Sequence, residues 1–373
     1  MKKIVNVYNG FIGTHDQGGG IKYVENLIKL QKKYFDVILL LGLGKGQKKK
    51  IKIDGTEVIY HPISSSHNWM IFILKVSLFL LRNRNYFSNL TFHIHRVYFA
   101  PFLRVIKTKK IIATVHTKTF DVFEQKFPIL KFITKIFIVI EKYIIKFSID
   151  SISFAGKVSL NLYKKRHKNL NKKFIYLPPV FKFIRSKKSN FFKKEKKKII
   201  LVVGRLSDVK RPIKALELFL NSIKKDNYVK NNYKIFFAGH GELKKKMKFF
   251  IRQNNLSKHV LGIQSIKSSK IPDLYKRSAV VLFLSKNEVN PYVIKEALFS
   301  GTPIFSTNVG TAKNMISNIN GMLISPTNID NSVEKFIFFL KKKFNSKQII
   351  KSCQKFIRND QKILEKAISK IYN

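Results

Sequence analysis

Ser285-Lys-Asn-Glu-Val-Asn-Pro-Tyr-Val-Ile-Lys-Glu-Ala-Leu-Phe-Ser-Gly-Thr-Pro303 is the stretch on which the reading of this chain turns. It leaves the apolar run Ala279–Ser285, which predicts a strand. It then enters a segment of helical spacing, Pro291–Ser300, closed by Gly301. Asn290 is placed to cap that helix and Pro291 to occupy its first turn. Glu288 then falls in the loop ahead of the helix, and Glu296 lies more than a turn inside it. Were the whole stretch helical, the two carboxylates would stand ~12 Å apart along the axis. On their chemistry alone they fit two descriptions. They are ordinary surface glutamates, one of them favourable to the helix dipole. Or one meets a sugar and the other a ribose, with the unpaired N–H groups of the helix facing a diphosphate between them.

Outward from this segment, strand-like and helix-like runs alternate along the whole chain. Lys3–Tyr8, Asp36–Leu41, Glu57–Tyr60, Thr91–His95, Lys110–His116, Ser151–Phe154 and Phe174–Leu177 predict strands. Helices fit between them, notably after Gly20 and across residues 68–84 and 124–148. A basic stretch from Pro178 to Lys198 interrupts the pattern and reads as a linker. The alternation restarts with strands at Ile199–Gly204, Tyr233–Gly239 and Ala279–Ser285 and a helix at Arg211–Lys225, and the chain from Ser346 onward is helical. Short apolar strands separated by helices give parallel sheets covered on both faces, and such sheets bind ligands at the carboxyl ends of their strands. The cluster Gly42-Leu-Gly-Lys-Gly46 fails as a dinucleotide fingerprint, because Gln47 stands at its last glycine position, and reads as a loop.

Three further groups carry chemistry. Arg205 and Lys210, in Val202-Val-Gly-Arg-Leu-Ser-Asp-Val-Lys-Arg211, sit between a strand and a helix. Two cations beside free N–H donors make a diphosphate clamp, though in so lysine-rich a chain an unplaced pair is ordinarily a solvated face. Gly18-Gly-Gly-Ile-Lys-Tyr-Val-Glu-Asn-Leu27 lets a ligand approach backbone at a helix start, or is a flexible turn. His93, His95 and His116 end two apolar strands. Alternation puts His93 and His95 on one face, where a metal pair is conceivable and packed strand-end histidines are the commoner case.

Taken together these motifs resemble glycosyltransferase family 4. The hallmark E-x7-E followed by G-x-P is matched by Glu288, Glu296 and Gly301-Thr-Pro303, with Pro291 in register. The arrangement G-R-L-x-x-x-K is matched by Gly204, Arg205, Leu206 and Lys210. Supporting matches are Phe237–Glu242, Val260–Gly262, Ile271–Tyr275 and Asn320–Pro326. Two positions depart from the pattern: Pro178-Pro-Val-Phe stands at the domain exit, and Lys313 stands where a glutamate often follows Val309-Gly310. The resemblance implies an α/β chain of GT-B fold, two Rossmann-like doubly wound parallel-sheet domains facing a central cleft. Residues 1–182 would bind the acceptor, residues 183–345 the nucleotide-sugar donor, and a helix at 346–373 would cross back. It implies transfer of a sugar from a nucleoside diphosphate sugar with retention and without a metal, in synthesis of a cell-surface polysaccharide or lipopolysaccharide.

By the same resemblance Arg205, Lys210, Glu288 and His116 would be catalytic. Gly19, Gly20, Gly204, Glu296, Asn290, Pro291 and Tyr292 would bind the donor, and His95 would lie on the acceptor side. No cofactor beyond the nucleotide-sugar co-substrate is implied. Two other readings stay open at this point: an epimerase of the same fold, and a basic nucleic-acid- or lipid-binding protein without transferase activity.

The bulk numbers limit these readings. A chain of 373 residues, 45% hydrophobic, can build two cores, and a single cysteine, Cys353, excludes a disulfide framework and a cysteine zinc site. The charge of +52 is mostly lysine spread along the chain rather than gathered in a stripe, so no nucleic-acid partner is expected. It favours anionic partners such as diphosphates and lipid headgroups. Trp69–Leu81 is too short to span a bilayer. Residues 127–147 carry lysines at helical spacing and read as an amphipathic helix, either packed on the sheet by its apolar face or docked on an anionic membrane. The expected location is cytoplasmic, peripheral on the inner face of the membrane.

Overall fold

The computed structural model describes residues 1–10, 19–53, 55–66, 68–116, 131–179 and 198–373. Gly18, residues 124–130 of the expected helix and most of the expected linker lie outside them. The chain divides into two compact units, Met1–Val180 with Gln361–Asn373, and Phe181–Asp360.

The first unit holds an eight-stranded sheet. Its strands are β1 (Lys3–Val7), β2 (Val37–Leu43), β3 (Lys49–Ile53), β4 (Thr56–Ser64), β5 (Thr91–Ile94), β6 (Lys110–Val115), β7 (Ser151–Phe154) and β8 (Phe174–Tyr176). They lie in the order β3-β4-β2-β1-β5-β6-β7-β8. Strands such as Val-Ile-Leu-Leu-Leu-Gly-Leu in β2 are apolar throughout because helices bury both faces. Alternate residues of β1 show this directly. Val5 and Val7 join one core with the Trp69–Arg82 helix, and Ile4 joins another with the Gly19–Gln31 helix and the end of the Ser346–Tyr372 helix.

The second unit holds six parallel strands, β9 (Lys198–Val203), β10 (Tyr233–Ala238), β11 (Val260–Gln264), β12 (Val280–Phe283), β13 (Ile304–Thr307) and β14 (Gly321–Ile324). Their order is β11-β10-β9-β12-β13-β14. The helices Pro212–Lys225 and Val333–Lys341 cover one face. Ile271–Arg277, Tyr292–Phe299 and the first part of Ser346–Tyr372 cover the other. In each sheet the winding reverses once, between β1 and β5 and between β9 and β12. Helices leave to opposite sides at such a point and open a crevice at the strand ends.

Three local expectations are corrected. Gly42 belongs to β2 rather than to a loop. The lysine-rich segment after it is β3, paired antiparallel to β4 at the sheet edge. Lys49, Lys50 and Lys52 suit an edge that must not recruit another strand. The helix after Glu288 begins at Tyr292. Its N-cap is Pro291 in extended conformation, so Asn290 is not the cap and Pro291 is not in the first turn.

Candidate functional site

Lys210 and Glu288 leave neighbouring strands at the reversal point of the second sheet and meet there. Val209 and Lys286 bring their loops together, the Lys286 amide donating to the Val209 carbonyl at 2.8 Å, and Lys286 also pairs with Asp208. Across this bridge Lys210 Nζ donates to Glu288 Oε1, with both side chains partly buried. Ser285 Oγ lies 3.1 Å from the same carboxylate oxygen and 3.1 Å from the Val209 carbonyl, sharing one proton between them. Nζ keeps further N–H donors and Glu288 keeps Oε2, so the pair can still bind a polar ligand. The Lys210 stem runs past Gly204 (φ +143°), and its ammonium lies 5.0 Å from the Phe283 ring centre.

Gly310 (φ +57°) presses its backbone against the carbonyls of Glu288 and Val289, so no side chain fits there. Thr311 Oγ1 next to it donates to Asn290 Oδ1 at 3.3 Å. Asn290 Nδ2 is buried and has no acceptor among the described residues.

Glu296 lies in the Tyr292–Phe299 helix. Its Oε2 accepts from Tyr275 Oη at 3.0 Å, and Thr302 Oγ1 donates to the Tyr275 carbonyl at 2.6 Å. Tyr275 is fully buried, and burial together with the Glu296 charge holds its hydroxyl protonated. The preceding residue points the other way. Lys295, 1% exposed, pairs at 2.9 Å with Asp360, and burial lowers its pKa against the pull of that carboxylate. The pair fixes the rotation of the helix and so the direction of Glu296. Tyr292 is half-buried in the first turn. Arg205 is exposed and has no ion-pair partner among the described residues.

The first unit gathers its candidates at the ends of β1, β5 and β6. His95 Nδ1 and His116 Nε2 lie 2.8 Å apart, and His95 Nε2 is buried without a partner among the described residues. The Tyr8 ring packs edge-on against both imidazoles, and Tyr23 lies 4.9 Å from His116. A Cβ at Gly20 would stand 2.6 Å from the Tyr8 hydroxyl, while Gly19 is exposed.

Behind them His93 Nδ1 meets Tyr372 Oη at 2.7 Å and Nε2 meets Thr114 Oγ1 at 2.6 Å. Thr114 in turn meets Ser153 Oγ at 2.6 Å. Gln31 donates to Tyr372 at 2.8 Å, and Ser153 donates to the Ala113 carbonyl at 3.3 Å. One proton arrangement satisfies the whole chain: Tyr372 donates to a neutral His93, which donates onward through Thr114 and Ser153. Burial lowers the pKa of His93 to about 3 and of His116 to about 4, with His116 and Arg96 respectively adding repulsion. His95 is lowered as well. Among the described residues no three His, Cys, Asp or Glu side chains are placed to hold a metal ion.

Sequence reasoning missed Tyr8, Tyr23, Tyr275 and Tyr372. A tyrosine signals nothing by spacing, and only the folded chain brings these hydroxyls and rings to the strand ends.

Two doubly wound parallel sheets of this order define a GT-B fold, and comparison with known proteins agrees. Residues 183–363 match the family model for glycosyl transferases group 1. A Campylobacter jejuni enzyme, GalNAc-alpha-(1->4)-GalNAc-alpha-(1->3)-diNAcBac-PP-undecaprenol alpha-1,4-N-acetyl-D-galactosaminyltransferase, is 30% identical over 134 residues. That match covers 35% of this chain and 35% of the enzyme. Sucrose-phosphate synthase from Thermosynechococcus elongatus superposes with a TM-score of 0.74 at 13% identity, covering 99% of this chain and 97% of that one. Anabaena Alr3699/HepE in complex with UDP and glucose gives 0.69 at 14% identity, with 99% of each chain covered. At such identities these likenesses establish the fold.

Proposed function

We propose that this protein is a glycosyltransferase that moves a sugar from a nucleoside diphosphate sugar to an acceptor hydroxyl, with retention and without a metal. The observation that carries the reading is the Lys210–Glu288 pair at the reversal point of the second sheet, inside the segment that matches group 1 glycosyl transferases. In this reading Glu288 Oε2 takes hydroxyls of the donor sugar and Glu296, steadied by Tyr275, takes the ribose hydroxyls. Lys210, with the exposed Arg205, faces the diphosphate.

As the bond from the anomeric carbon to the phosphate oxygen breaks, its electron pair leaves with the diphosphate, and the two cations stabilise the growing charge. The acceptor oxygen bonds to the same carbon on the same face. Its proton passes to the departing phosphate oxygen, giving a glycoside and a nucleoside diphosphate. A cell-surface glycan or a lipid-linked acceptor fits best, since the C. jejuni relative carries PP-undecaprenol in the name of its acceptor.

The test is thermal stabilisation by a panel of nucleoside diphosphates and nucleotide sugars, with Lys210→Ala as control. At a hundred times its Kd a ligand adds about 2.7 kcal/mol. Stabilisation of the wild type and its loss in the variant are expected. If no nucleotide stabilises the wild type, the reading fails.

A further inference from the structure

The two faces of the first sheet are covered in opposite ways. On one face the Gly19–Gln31 helix and the end of the Ser346–Tyr372 helix turn their large apolar side chains inward, and none of those described is exposed. On the other face the Trp69–Arg82 helix presents Met70 (59% exposed), Leu74 (60%), Leu78 and Leu81 to solvent in one stripe. The Lys131–Ser148 helix goes further. It buries Ile145 together with Thr134, Glu141 and Ser148 and exposes Ile136, Val139, Ile140, Tyr143 and Phe147, which recur at helical spacing on its outer side. Ile145 joins the core of this face with Ile144 packed against it, so the helix carries apolar residues on both its inner and its outer side.

A helix that buries one isoleucine and still shows isoleucine, tyrosine and phenylalanine to water carries more apolar surface than an aqueous face requires. Both helices contact the Val97–Phe99 turn and contribute to the same core, so they cover the same face of the sheet. Exposed cations run along one edge of each stripe, Lys75 and Arg82 beside the first and Lys135, Lys142 and Lys146 beside the second. The Lys146 ammonium lies 4.9 Å from the Phe147 ring centre, a cation–π contact at the edge of the stripe.

We propose that these two helices form a docking surface for a bilayer containing anionic lipid. Neither helix spans: among the described residues no helix is long and apolar enough to cross a membrane. Each would lie in the interface, apolar stripe among the acyl chains and lysines among the headgroups. A second copy of the chain is the poorer occupant, because two bodies of +52 repel.

The test is co-sedimentation of the full chain with phosphatidylcholine vesicles, with and without phosphatidylglycerol. The wild type is compared with a Leu74→Glu, Ile140→Glu variant, whose exposed positions spare the fold. Binding to the anionic vesicles is expected, at least about tenfold weaker in the variant. Equal binding by the two proteins, or no binding by the wild type, overturns the proposal. So does wild-type self-association that the variant abolishes. Nucleotide stabilisation is read separately on both proteins. Its absence would count against the transferase reading and leave the docking result standing.

Discussion

Replacing His93 by glutamine should remove a measurable part of the acid sensitivity of the first unit. His93 is fully buried, bonded to Tyr372 and Thr114, and its pKa is lowered to about 3. In the unfolded chain it titrates near its ordinary value of about 6.5. Between those values the unfolded chain binds a proton that the folded chain refuses. The stability associated with neutral His93 is therefore complete above about pH 6.5 and is lost progressively as pH falls. At about pH 5, roughly 1.5 pH units below the unfolded value at about 1.4 kcal/mol each, the loss is about 2 kcal/mol. His116, with a pKa of about 4, contributes in the same direction, so the glutamine variant isolates one share. Trp69 is the single tryptophan and lies in the first unit, so its fluorescence during urea denaturation reports that unit. The gap between wild type and His93→Gln should narrow by about 2 kcal/mol between about pH 7.5 and about pH 5. Curves that fall in parallel, within about 0.5 kcal/mol, would refute a neutral buried His93.

Lys210→Ala should lower kcat for sugar transfer by about a hundred- to a thousandfold, followed as nucleoside diphosphate release, and a loss under about tenfold would remove Lys210 from the chemistry. Asp360→Ala leaves the buried Lys295 ammonium unpaired and should cost about 3–5 kcal/mol by denaturant midpoint. Lys295→Met with Asp360→Leu should cost far less than the two single changes added, and strict additivity would contradict the pairing. Gly239→Ala would drive a Cβ into the Gly204 carbonyl, each residue directly following one of the paired strands β10 and β9. A cost of about 1–3 kcal/mol and weaker nucleotide stabilisation are expected, and an unchanged Tm would show that the strands can part.

The fold was legible in the sequence because parallel strands buried on both faces announce themselves as unbroken apolar runs. Ser151–Phe154 needed no correction at either end. The strands that escaped are β11, β13 and β14. β3 escaped because its lysines mask a strand that only pairing with β4 stabilises. The approach of Lys210 to Glu288 was legible in outline, since both follow strands that a doubly wound order makes neighbours. The Lys295–Asp360 pair was not, because its partners are 65 residues apart and nothing local singles out either. The outward apolar stripe of the Lys131–Ser148 helix was hidden too. Periodicity shows that a helix has two faces but not which one the protein keeps.

The two clusters differ in charge, and the difference has chemical weight. At the reversal point of the second sheet the groups are ionic: Lys210, Glu288 and Arg205. At that of the first they are imidazoles kept neutral by burial, His116 at about 4 and His93 at about 3. A group of pKa about 4 is a weak general base at neutral pH and is never protonated enough there to act as a general acid. What a neutral His116 can do is hold a hydroxyl by one hydrogen bond while offering no positive charge to attract a phosphate. Arg96 is the cation beside His116, and if the transferase reading holds, Lys210 and Arg205 are the cations that draw the diphosphate in the second unit. The proton of the acceptor then needs an acceptor more basic than His116, a role that the departing phosphate oxygen can fill.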